Sequence, residues 1–185
     1  AEPRAKHFID DLWRLHFTNL NAYLDGGKPA LMLDFADPAP KVELSIWIDA
    51  PRARVFKALM DPKWLHAWVN NEWVETHKTI VEPRIGGAYV YGWKYEVEGR
   101  PVDGGPTKIL ELVENERLVT DWTDWRGDPN VPPQRIAWIL KDENGGTRLT
   151  MIHDRFVRVV DISDYGGGWQ YFLGAIKGVA EKGPG

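Results

Sequence analysis

The chain has 185 residues, 43% of them hydrophobic and 27% charged, with a formal net charge of -4 at neutral pH. That length fits one domain with its own core plus a small appendage, and the composition is too apolar for a disordered chain. The absence of cysteine excludes a disulfide framework, thiolate metal sites and a cysteine nucleophile. No apolar run approaches the roughly 18 residues of a membrane span, and the mild acidity offers nucleic acid no basic surface. Neither end reads as a signal peptide, so the cytoplasm is the expected compartment. Ten tryptophans, beside six Tyr and six Phe, are the unusual count. Such bulk gathers in thick cores, interfaces and ligand cavities.

Residues 5–25 carry Phe8, Leu12, Trp13, Leu15, Phe17, Leu20 and Leu24 at mostly helical spacing, and Gly26-Gly27 with Pro29 end the pattern. A proline-spaced linker, Asp37 to Pro40, follows, so residues 1–40 read as a helix and linker ahead of a domain over 41–185. Val42, Leu44, Ile46 and Ile48 alternate with Glu43, Ser45, Trp47 and Asp49, the pattern of a half-buried strand. Asp49 is expected to cap a helix with Pro51 in its first turn and Val55, Phe56, Leu59 and Met60 as its stripe. Asp61-Pro62 breaks it, and Lys63–Val69 forms a second short helix carrying Trp64, Leu65 and Trp68.

From Glu72 to Phe156 strand-like runs cover 72–82, 88–97, 107–113, 118–125, 134–141 and 147–156. Gly86-Gly87, Gly99, Gly104-Gly105-Pro106, Glu114 to Glu116, Gly127 to Pro133 and Asn144 to Gly146 supply the turns. Trp169, Phe172, Leu173, Ile176 and Val179 then mark a closing helix over Gly168–Lys182. The order predicts an α+β fold, a curved antiparallel sheet wrapped around one long C-terminal helix.

Five blocks resemble the START-like (SRPBCC) superfamily in sequence and order: IDAPRARVFKALMDPKWLHAW (48–68), IGGAYVYGW (85–93), KILELVENERLVTDW (108–122), GGTRLTMIHDRF (145–156) and GGWQYFLGAIKGVAE (167–181). Within it they are most similar to the group named after the activator of the heat-shock protein 90 ATPase. The resemblance implies a helix-grip fold with a cavity between sheet and closing helix. Superposing Trp13 on Trp169 also sets Phe17 on Leu173, Leu20 on Ile176 and Gly27 on Gly183. Residues 5–27 therefore read either as the closing helix of a preceding START-like domain or as a leading helix that docks where a neighbouring domain would; left orphaned, the helix is a plausible dimer element.

Tyr89, Tyr91, Trp93 and Tyr95 share one parity and would face one way on a regular strand, as core packing or as cavity wall. Trp122, Trp138 and His153 fall on the apolar parity of their own strands, and Trp169 and Phe172 on the closing helix complete a candidate lining. Trp64 and Trp68 form either a lid at its mouth or a cap on the sheet. His153 is the one ionisable group expected inside, as a satisfied core histidine, a ligand partner or an acid/base. Asp121, Asp124 and Arg126 lie near a strand end, where Arg126 could pair with either carboxylate. The five histidines lack metal-ligand spacing, and neither a nucleophile elbow nor a phosphate loop occurs, so no metal and no cofactor are expected.

Three functions follow. The first is a binding protein for a small hydrophobic or aromatic molecule. The second, by analogy with the named group, is a chaperone-type interaction module, which needs a large exposed apolar patch. The third is a cavity enzyme of cyclase, hydrolase or lyase type with His153 as acid/base and Tyr91 or Tyr171 orienting the substrate.

Overall fold

A computed structural model describes residues 31–33, 41–70, 76, 78–91, 93–97, 100–125 and 127–185, with the backbone alone at 31–33, 93–97, 100–103, 159, 160 and 163. The expected N-terminal helix and its match to the closing helix lie outside the described residues, as does Arg126.

Strand β2 (Val42–Ile48) buries Val42, Leu44, Ile46 and Ile48 and leaves the residues between them half-buried, as its alternation requires. A short strand β1 (Leu31–Leu33), in the stretch read as linker, pairs with its outer edge. On the other side lies β10 (Gly146–Asp154), followed in space by β9 (Gln134–Glu143), β8 (Arg117–Trp122) and β7 (Ile109–Val113). The result is one antiparallel sheet in the order β1-β2-β10-β9-β8-β7. Its tightest corner is Asn144-Gly145 between β9 and β10, with φ of 50° and 79°. Two successive positive φ values make the type I′ turn that Asn-Gly favours, and its twist matches the strands it joins. The next residue, Gly146, admits no side chain, since a Cβ there would stand 2.4 Å from the Ile48 carbonyl oxygen.

Helices α1 (Arg52–Met60) and α2 (Pro62–Val69) follow β2, and α3 (Val159–Lys182) closes the fold. They bury Val55, Leu59, Leu65, Leu173, Ile176 and Ala180 against the sheet and one another. The helix-grip architecture is the one the sequence predicts. Arg54 Nε donates to the Ala180 carbonyl, satisfying one of the acceptors a helix leaves open at its C-terminus.

Several local expectations are corrected. Pro51, not Asp49, is the N-cap of α1, without a side-chain bond; Asp49 instead uses its N–H to reach Glu181. Asp61, read as a breaker, caps α2 by accepting from the Lys63 and Trp64 amides at 2.9 and 3.4 Å. Among the described residues of the run 72–82, Ile80–Val81 form a strand, β3, which pairs with β4 (Tyr89–Val90). The run 88–97 is not one strand. After β4 the chain changes partner, and β5 (Trp93–Val97) forms a separate hairpin with β6 (Arg100–Gly104), which falls outside the expected strand-like runs. Lastly, α3 begins nine residues before the expected Gly168, because Gly166-Gly167-Gly168 lies inside the helix rather than ending it.

Candidate functional site

Inward positions of three strands and α3 converge on one aromatic layer. Register sets Trp138 of β9 beside Leu118 of β8 and Met151 of β10, and sets Trp122 beside Gln134 at the end of the same strands. Trp68, Trp122 and Trp138 are each 1% exposed, Tyr91 2% and Trp169 3%. Their rings meet edge to face: Trp68 lies 5.4 Å from Tyr91, 6.4 Å from Trp138 and 6.1 Å from Phe172, and Trp169 lies 5.2 Å from Trp122 and 5.5 Å from Trp138. That geometry sets positive ring edges against negative ring faces and adds to the burial term.

Of the ten residues expected at the site, seven enter this layer or border it directly: Trp68, Tyr91, Trp122, Trp138, His153, Trp169 and Phe172. Tyr89 continues it through Tyr91 at 5.7 Å and anchors its hydroxyl on the Leu59 carbonyl at 2.6 Å. Trp64 sits apart, under the cations of Arg54 and Lys57 at 5.3 and 5.1 Å. Trp68 bonds the Ala58 carbonyl through Nε1 at 2.9 Å. The side chain of Trp93, and that of Tyr95, lie outside the described residues.

His153 is fully buried at the Trp122 end, and its partners fix its tautomer. Trp169 Nε1 can only donate, and it donates to Nδ1 at 3.1 Å. The ring proton is therefore on Nε2, which donates to Gln134 Oε1 at 2.8 Å. Burial pushes the His153 pKa well below its ordinary value, so the ring is neutral at physiological pH. Both nitrogens are engaged by side chains, the arrangement of a satisfied core histidine.

Gln134 thereby turns its amide nitrogen away from His153. Four buried side-chain atoms have no hydrogen-bond partner among the described residues, and two of them, Gln134 Nε2 and Trp138 Nε1, belong to the inward face of β9. Tyr165, from the first half of α3, packs its ring against His153 at 4.4 Å, tilted by 58°. Its hydroxyl accepts from Trp122 Nε1 at 3.1 Å and from the Trp125 amide at 3.4 Å, and burial raises its pKa.

Outside this corner, Arg158 joins Asp124 and Asp161, the latter at 3.0 Å, and lies 3.6 Å from Asp128. Asp124 thus pairs with Arg158, while Asp121 accepts from the Thr107 and Lys108 amides, both at 2.8 Å. A half-open cleft of about 230 Å³ lies beside them, lined by Thr123, Asp124, Asp128, Pro129, Val131 and Pro133. No group of three or more metal-ligating side chains occurs among the described residues. Sequence reasoning passed over Gln134, Tyr165 and Arg158. The signal for Gln134 was its parity with Ile136 and Trp138, an amide at an inward position. Tyr165 carried none, because its stretch was not read as helix.

The sequence matches, over residues 49–181, the family described as Activator of Hsp90 ATPase homolog 1-like protein. The chain belongs to that family. Solved structures of the same fold include a protein of Chromobacterium violaceum, 23% identical, with a TM-score of 0.63 over 77% of this chain and 97% of that one. A protein of Arthrobacter aurescens is 19% identical, with a TM-score of 0.64 over 80% of this chain and 90% of the other. The Aha1 dimer of Colwellia psychrerythraea is 19% identical, with a TM-score of 0.53 over 78% of this chain and 98% of that one. No curated protein matches the chain at a significant level. No described helix is long and apolar enough to cross a membrane.

Proposed function

We propose that this member of the family binds a small hydrophobic or aromatic molecule between the sheet and α3. One observation carries the reading: an aromatic layer contains buried donors, Gln134 Nε2 and Trp138 Nε1, that no described residue satisfies. Unpaired buried donors are costly in a folded protein, whereas a largely apolar wall with a few convergent polar groups is the usual make-up of a small-molecule site. Trp68, Tyr91, Trp122, Trp138, Trp169 and Phe172 would face the guest, with Tyr89 behind Tyr91 and with Trp64 nearer its entrance.

The experiment is native mass spectrometry of the purified chain, repeated after denaturation, with fluorescence titration by fluorenone, a flat tricyclic ketone. A small molecule that departs on unfolding, or saturable tryptophan quenching by fluorenone, is the expected result. A clean apo mass together with no quenching up to the solubility limit overturns the reading.

The other two functions have less behind them. A chaperone-type module needs a contiguous apolar face, and the exposed large apolar side chains among the described residues, Ile85, Val113 and Val157, stand on three separate segments. Acid/base work by His153 needs one ring nitrogen freed from Gln134 or Trp169. Association into a homodimer through residues 5–27 belongs to the proposal, supported by the dimeric state named for the Colwellia structure. Light scattering of the full chain and of its Trp13→Glu variant tests it: the dimer is expected for the first alone, and a monomeric parent chain removes it.

A further inference from the structure

Of the four unpartnered buried side-chain atoms among the described residues, three are donors, Gln134 Nε2, Trp138 Nε1 and Arg148 Nη1, and one, Gln170 Oε1, is an acceptor. Three donors border the aromatic layer: Gln134 Nε2, Trp138 Nε1 and the Tyr165 hydroxyl, whose proton no described residue takes. The first is a donor because the His153 tautomer demands it. If the Gln134 amide were flipped, two donors would face each other across the 2.8 Å contact to Nε2. The third is a donor because its oxygen already accepts twice, from Trp122 and Trp125, and no described residue takes its proton. Gln134 and Tyr165 meet on the same histidine, one bonded to its Nε2 and the other packed on its ring.

The charge beside this corner selects among acceptors. Tyr165 feels Asp124 and Asp161, and these two, with Asp128, face the single guanidinium of Arg158. Among the described residues three carboxylates meet one guanidinium here, an excess of negative charge that disfavours a carboxylate or phenolate and tolerates a neutral oxygen.

Resting on the binding reading above, we propose that the guest is a planar aromatic molecule carrying a neutral carbonyl oxygen, held by hydrogen bonds from the Gln134 amide and the Tyr165 hydroxyl. Trp122, Trp138 and Trp169 supply the flat apolar contact. The carbonyl completes both donors at the Trp122 end of the layer, beside the cleft between Thr123 and Pro133.

Three probes of one shape test the proposal by tryptophan quenching: fluorenone, fluorene, which has a methylene in place of the carbonyl, and fluorenecarboxylate. Fluorenone is expected to bind about tenfold or more tighter than fluorene, since a donor left unpaired by the wrong guest costs more than the bond itself contributes. The carboxylate is expected to bind more weakly than fluorenone. Equal affinity for fluorenone and fluorene overturns the carbonyl preference and leaves the binding reading standing, as when a buried water meets the same donors. Tighter binding of the carboxylate overturns the neutral-oxygen assignment. Failure of all three overturns this proposal, and it removes the reading beneath it only together with a clean apo mass.

Gln134→Leu and Tyr165→Phe are each expected to reduce the preference for fluorenone over fluorene severalfold. A preference unchanged in both folded variants overturns the residue assignment. Because either substitution strips a buried partner and could unfold the chain, the carbonyl stretch of bound, isotope-labelled fluorenone is read in the parent protein as well. It is expected at lower frequency than in hexane; a hexane-like frequency overturns the proposal without any variant.

Discussion

The two halves of α3 are held in different ways. From Trp169 to Lys182 the helix is fixed by burial: Leu173, Ile176 and Ala180 are fully enclosed, Arg54 closes on the Ala180 carbonyl, and the Gly183 amide bonds the Val179 carbonyl at 2.8 Å. From Val159 to Gly168 it contains three consecutive glycines, and its N-cap, Arg158, makes no side-chain capping bond. Polar ties hold this half, from Arg158 to Asp124 and Asp161 and from Tyr165 to Trp122. Apolar burial is non-directional and survives small shifts, whereas these ties depend on a few bond geometries. The half fixed by burial closes the core, and the half held by polar ties covers the His153 corner.

The sharpest way to break that contrast is to attack the packed half. Trp169→Ala removes a buried indole and the donor to His153, and a loss of about 3–5 kcal/mol is expected in urea unfolding. A loss near 1 kcal/mol would mean that the ring layer closes over the gap, and the first half of α3 would then be the stronger one. The matching change in the polar half is Arg158→Ala. It takes from Asp124 and Asp161, with side chains 1% and 0% exposed, the guanidinium they share. About 3 kcal/mol is expected, because the lost partner serves buried charges rather than a surface ion pair. Arg158→Lys keeps the charge and loses the fork, and should fall between the parent and Arg158→Ala.

The contrast also explains what could be read from the chain. The C-terminal half of α3 was legible because Trp169, Phe172, Leu173, Ile176 and Val179 repeat at helical spacing. Strand β2 was legible through its strict alternation, and the β9–β10 turn through Asn144-Gly145-Gly146. The first half of α3 was not, because Gly166-Gly167-Gly168 is ordinarily a breaker and tertiary contacts, those of Arg158, Ile162 and Tyr165 among them, hold it helical. The break between β4 and β5 was hidden for a related reason. Four aromatics of one parity read as a single strand, yet each piece took a different partner, and pairing is a long-range choice that periodicity does not encode. The site divided along the same line: apolar members declared their inward parity, while its polar logic needed the orientation of His153, which no single strand specifies.

Titration offers a smaller and more selective probe. His153 is held neutral by burial, so its folded pKa lies below its unfolded value of about 6.5. Above that pH the ring is neutral in both states and contributes no pH dependence. Below it the unfolded chain takes up a proton that the folded chain does not, and stability falls as pH falls towards the folded pKa. The slope is expected to reach about 1.4 kcal/mol per pH unit between roughly pH 6 and 5. Subtracting the same urea series on His153→Gln isolates this contribution from the other histidines. A difference curve flat from pH 7 to 5 would mean that the corner opens and hydrates at little cost.

The smallest effect is the most direct test of the helical contrast. A Cβ built on Gly166, Gly167 or Gly168 meets nothing within 4 Å, and none of the three has a positive φ. Alanine therefore fits each site, and each replacement should stabilise the chain by about 0.4–1 kcal/mol, chiefly by restricting the unfolded state. The informative reading is where the gain appears. If the first half of α3 opens on its own, hydrogen exchange at residues 159–168 should slow by about two- to fivefold in Gly167→Ala. Protection around Leu173 and Ile176, which already depends on opening the core, should rise only in step with global stability. Uniform slowing across 159–182 would show that α3 opens as one piece, and access to the His153 corner would then require unfolding the same core that Trp169 secures.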